Sequence, residues 1–134
     1  KYKEQANYIE ILKFVKRVKK NKQRTLNFIK DNIKLGKKIF LYGASTKGNT
    51  LLQYYGLTNK EIPYAAERTK TKWGKYTIGS GVRIISEEDA RRLNPDYFFV
   101  MPYGFIKEFI KREQPWLKKG GKFILPYPNF KILK

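Results

Sequence analysis

The 134-residue chain contains no cysteine and no histidine. Without cysteine there is no disulfide framework and no thiolate nucleophile, which fits a reducing compartment and makes the cytoplasm the expected location. Without either residue, the common zinc-ligand sets, the Ser/His and Cys/His nucleophile pairs and imidazole acid–base catalysis are excluded within this chain. No apolar run approaches the ~18 residues of a membrane span, so no membrane partner is expected, and nothing resembles a signal peptide. The first residue is Lys1, so the chain is expected to be a piece of a longer protein or a processed form.

Acidic residues are also scarce. Eleven stand against 30 basic ones, a formal charge of +19. Such an excess suits either a nucleic-acid partner or a solvated surface decorated with lysine. The segment up to Lys38 carries much of it, in runs such as "KRVKKNKQR", and the rest is scattered. Lys greatly outnumbers Arg, the better reader of bases and phosphates. Nucleic acid is therefore not the expected partner. A continuous basic face would favour a nucleic-acid-binding module, and a free-standing nucleotide-binding domain is a third alternative.

What is present is enough for one core: 41% of residues are apolar and 16% aromatic. Residues 1–35 read as a basic amphipathic helical segment, with Ile11, Phe14, Val15 and Val18, then Leu26, Ile29 and Ile33, at spacings of three and four. "KKNKQR" interrupts the stripe, leaving one long helix or two. Residues 36–134 then alternate. "IFLY" is a buried strand and "STKGNTLLQYYGL" a helix closed by Gly56. "EIPYAAE" is a strand, "RTKTKWGKYTIGSG" a loop and "VRIIS" a strand. "SEEDARRLN" is a helix capped by Ser86, and "DYFFVMP" a strand. "GFIKEFIKREQPWLKKGG" is one helix with Phe105, Phe109 and Trp116 inward, and "KFILPYP" is the last strand. The alternation predicts an α/β, Rossmann-like three-layer domain with a mostly parallel sheet, preceded by the helical segment.

The turn after the first strand, "GASTKGNT", is the candidate site. Gly43 and Gly48 have the spacing of a Walker loop, but Asn49 stands where the phosphate-binding lysine belongs and the lysine is displaced to Lys47. The dinucleotide pattern fails because position 45 is Ser, and a three-glycine methyl-donor loop is absent. Ser45 and Thr46 offer hydroxyls, Lys47 a cation, and Gly48, Asn49 and Thr50 backbone amides at a helix start, where anions are favoured. Glu67, at the end of the second strand, can accept a ribose or sugar hydroxyl. Together with Pro102 and Tyr103 of "MPYG" at the end of the fourth strand, and Lys72 in the polar loop, these residues are placed around one cleft. The alternative is structural, with Ser45 a helix cap and Gly48 a packing glycine.

Four segments together, "GASTKGNTLLQYYGL", "AAER...KWGKYTIGSGVRIIS", "NPDYFFVMPYGF" and "GGKFILPYP", resemble the C-terminal domain of S-adenosylmethionine-dependent sugar C-methyltransferases over about residues 36–130. The resemblance implies a parent enzyme with a zinc-binding domain, a central domain that binds S-adenosylmethionine, and this domain last. The acceptor, a nucleotide-linked sugar or related phosphorylated small molecule, would lie between the last two. It implies that this chain alone binds no S-adenosylmethionine and is inactive, since donor site and general base lie elsewhere. Thr69-Lys70 and Ile78-Gly79 depart from the family's usual Asn-Pro and Pro-Gly, which points to a differently shaped substrate loop.

Overall fold

The computed structural model describes residues 2–100, 105–126 and 130–133. One continuous helix, α1 (Tyr2–Lys34), leads in. The basic stretch at 19–24 does not break it, because Lys, Arg and Gln are good helix formers and most of its charges are exposed. β1 (Ile39–Tyr42), α2 (Thr46–Tyr55) and β2 (Tyr64–Glu67) follow. A 3₁₀ turn (Lys70–Lys72) leads to β3 (Arg83–Ser86), α3 (Glu87–Arg92) and β4 (Tyr97–Val100). The chain ends with α4 (Ile106–Arg112), α5 (Gln114–Lys118), β5 (Lys122–Leu125) and β6 (Lys131–Leu133).

The strands form one six-stranded sheet in the order β3-β2-β1-β4-β5-β6. All neighbours are parallel except the β5–β6 pair. β1 is central, so all four of its residues are buried, as its unbroken apolar run predicts. Successive side chains alternate between the sheet's faces. Ile39 and Leu41 pack with Ile29 of α1 and Leu52 and Tyr55 of α2, whereas Phe40 and Tyr42 pack with Phe98, Trp116 and Phe123. Thus α1 and α2 cover one face and α3, α4 and α5 the other.

Two details differ from the sequence expectation. The segment 105–118 is two helices, broken at Glu113. Pro115 lies in the first turn of α5, where its missing N–H and fixed φ are tolerated; within one continuous helix it would have broken the ladder. Phe105 is accordingly exposed at the start of α4, while Phe109 is half-buried and Trp116 buried. The antiparallel strand β6 is an addition to the expected elements; with Lys131 exposed and Ile132 and Leu133 half-buried, its three residues carry a weak pattern.

Gly121 closes the second core. A Cβ there would meet the Trp116 ring, whose Nε1 donates to the Pro95 carbonyl at 2.8 Å. The ring is buried and held, so Gly121→Ala is expected to cost about 1–3 kcal/mol, the range for overpacking, measured by urea unfolding.

Candidate functional site

β1 neighbours β2 on one side and β4 on the other, so the chain's direction of winding switches at its C-terminal end. Ligand crevices of open α/β sheets form at such points. A cleft of about 330 Å³ opens there. One wall is the turn Gly43–Ser45 with Glu67 and Lys72, and the other is Phe105, Glu108, Phe109 and Arg112 of the α4 region, with Tyr42 between them.

The turn is built locally. Gly43 takes a positive φ of 86°, open to glycine without strain, and its amide donates to the Ala66 carbonyl at 2.6 Å. The chain therefore leaves β1 while still paired to β2. Ser45 then caps α2, its Oγ accepting from the Gly48 amide at 3.0 Å. The Glu67 carboxylate ties the turn to β2. It accepts from the Ala44 amide at 3.4 Å and the Arg68 amide at 3.0 Å, and pairs with Lys72 Nζ at 3.5 Å. Lys72 Nζ also donates to the Ala44 carbonyl at 3.4 Å. Glu67, Lys72 and the Gly43–Ser45 turn thus form one connected wall.

The remaining candidates lie elsewhere. Asn49 faces the loop after the 3₁₀ turn. Its Nδ2 donates to the Ile78 carbonyl at 2.9 Å, and its Oδ1 accepts from the Ser80 hydroxyl. The same loop is held by Thr77 Oγ1, which accepts from the Val82 amide at 2.9 Å. Asn49 is thereby a buckle between α2 and residues 77–80. Thr50 Oγ1 donates to the Thr46 carbonyl one turn back at 2.9 Å. Gly48 is buried. Thr46, Lys47 and Thr50 line a separate depression with Leu51 and Tyr54. Pro102 and Tyr103 lie outside the described residues.

Beneath the cleft is a polar cluster that the sequence did not disclose. Glu113, 1% exposed, accepts from Tyr42 Oη at 2.7 Å and from Arg91 Nε and Nη2 at 2.8 and 2.6 Å. Arg112 Nε donates to Tyr42 Oη at 3.1 Å, and its guanidinium lies over the Tyr42 and Phe109 rings. Glu87 completes the cluster 3.7 Å from Arg91 and 3.9 Å from Arg112. Burial alone would raise the Glu113 carboxyl, but the bonds from Arg91 and Tyr42 outweigh it and hold the group below its ordinary value. The Tyr42 hydroxyl is pushed far above its ordinary value, first by burial and then by its bond to the Glu113 anion. The helix break before Pro115 places Glu113 under Tyr42. That break was the one available signal, but only the fold shows what the carboxylate meets.

Among the described residues there is no cluster of His, Cys, Asp or Glu suited to a metal, and no helix long and apolar enough to cross a membrane. The turn after β1 is not a three-glycine loop. The turn has one glycine before its cap, the Ala44 amide is taken by Glu67, and Gly48 is already inside α2.

Fold and cleft together define a doubly wound α/β domain with a polar crevice at its switch point. The chain matches the family described as the C-methyltransferase C-terminal domain over residues 3–128, and it belongs to that family. It is 38% identical over 98 residues to the C-methyltransferase NovU of Streptomyces niveus, a stretch covering 73% of this chain and 23% of that protein. The chain therefore spans under a quarter of the length of this curated relative.

Proposed function

We propose that this chain is the acceptor-binding domain of an S-adenosylmethionine-dependent C-methyltransferase, and that it holds a nucleotide-linked sugar or related phosphorylated small molecule in the cleft at the end of β1. Family membership supports the methyltransferase class. The observation that carries the acceptor role is the composition of the cleft, where carboxylates and cations sit side by side on both walls. Glu67 can accept hydroxyl hydrogens, and Lys72, Arg68 and Arg112 can meet phosphate oxygens. A sugar joined to a diphosphate presents both groups. The methyl donor, and the base that removes the acceptor's proton, belong in this proposal to another part of the enzyme. The zinc-binding domain implied by the resemblance and the cytoplasmic location expected from the lack of cysteine are part of the same proposal.

Calorimetry on the isolated chain tests it, with a nucleoside diphosphate sugar, the nucleoside diphosphate alone and S-adenosylmethionine as titrants. The expected result is weak binding of the first two and none of the third, with no methyl transfer by the chain alone. Micromolar binding of S-adenosylmethionine would show that this is not solely the acceptor side.

A further inference from the structure

The first half of α1 is largely open to solvent. Every residue from Gln5 to Arg17 is exposed, including Tyr8, Ile9, Ile11, Leu12, Phe14 and Val15. Most of these lie on one face. Tyr8, Ile11, Phe14 and Val15 stand 18 residues before Leu26, Ile29, Asn32 and Ile33, which are five turns of an α-helix. They therefore continue the very face that α1 lays on the sheet. An apolar stripe that extends an existing core face out into water is a contact surface without its partner.

The fold also shows where the stripe points. Lys34 is followed by a short turn into the start of β1, at the edge of the sheet opposite the cleft. Asn21 lies against the Phe130 backbone, one residue before Lys131, which pairs with Leu125 at the end of β5. Position 21 of α1 is thus level with the edge where the cleft opens. The helical residues before it, from Tyr2 at 1.5 Å each, carry the helix roughly 28 Å beyond that edge.

We infer that this overhanging stripe is the docking face for the methyl-donor part of the same enzyme, seated through an apolar groove with an acidic rim. This rests on the reading of the chain as the acceptor domain. Three observations choose that occupant. The family is that of a C-terminal domain, and about three quarters of the curated relative's length lies outside the matched stretch, so in a protein built alike the remainder precedes α1. Residues 5–24 carry seven basic side chains and one acid, Glu10, so a second copy would bring like charges together, whereas an acidic rim would neutralise them. The stripe extends past the cleft edge, so a body seated on it comes to lie over the cleft, where a methyl group must arrive.

Hydrogen exchange tests the inference on the longer enzyme and on the isolated chain, side by side. Amides of residues 8–18 are expected to exchange at least about tenfold more slowly in the longer enzyme. Ile11→Asp with Phe14→Asp is expected to remove that protection while leaving the melting temperature of the isolated chain unchanged. Equal exchange in the two proteins would overturn the inference. So would sedimentation showing that the isolated chain dimerises through the stripe, or protection that appears only on adding duplex RNA. If the longer enzyme transfers no methyl group to any acceptor, the functional reading fails separately, because the exchange comparison does not depend on turnover.

Discussion

Glu113→Ala is expected to destabilise the domain by about 2–4 kcal/mol, because it removes the single acceptor that serves both Tyr42 and Arg91. The loss falls unevenly. Arg91 is 39% exposed and turns to water, so little of the cost comes from its charge. Tyr42 is 2% exposed, and its hydroxyl would lose the partner that accepts its proton. Urea unfolding of the two proteins at pH 7 checks the difference, and a loss below ~1 kcal/mol would mean that water replaces the carboxylate.

The same cluster contributes to the pH dependence of stability at both ends of the scale. Glu113 has a lowered folded value, so its stabilisation is present above the ordinary carboxyl value of 4.5 and is lost as pH falls through the folded one. Tyr42 has a raised folded value, so its contribution is whole below the ordinary 10.0 and declines as pH rises beyond it. Glu113→Gln keeps the shape and removes the charge. It is expected to flatten the acid limb of a stability–pH curve below about pH 4.5. An acid limb identical to that of the parent would assign that limb to other carboxylates.

The fold was largely legible because each element declares itself locally. β1 is four apolar residues between a glycine turn and two lysines. α2 opens with a serine cap and closes at Gly56, whose amide donates to the Leu52 and Gln53 carbonyls in the left-handed conformation. The helical period of residues 1–35 was equally clear, and so was its apolar stripe. What local pattern could not give was register across the molecule. Nothing in "KREQPW" says that its glutamate lies under a tyrosine 71 positions earlier. Similarly, "GASTKGNT" reads as one ligand loop, yet its first half lines the cleft and its second half faces other neighbours, because a helix starting at Thr46 turns each successive side chain by about 100°.

That division sets up the last comparison, between Arg112 and Lys47. Arg112 lines the cleft, stacked over Tyr42 and Phe109, with its Nε bonded to Tyr42 Oη. Its fork is thereby held in one plane, suited to paired bonds with phosphate oxygens. Lys47 is exposed and borders the neighbouring depression instead. In the longer enzyme, Arg112→Ala is expected to raise the half-saturating acceptor concentration by roughly tenfold to a hundredfold, since a charge-assisted bond is worth about 1.5–3 kcal/mol. Turnover at saturation should change less, because ground-state and transition-state binding fall together. Arg112→Lys should recover only part of the loss, as a point charge cannot make the paired contact. Lys47→Ala should shift the half-saturating concentration by less than about threefold, because an exposed lysine outside the cleft gains little from a distant, screened charge. The reverse ranking, with Lys47→Ala costing tenfold and Arg112→Ala near neutral, would move the phosphate site to the start of α2. The cleft would then hold the sugar alone.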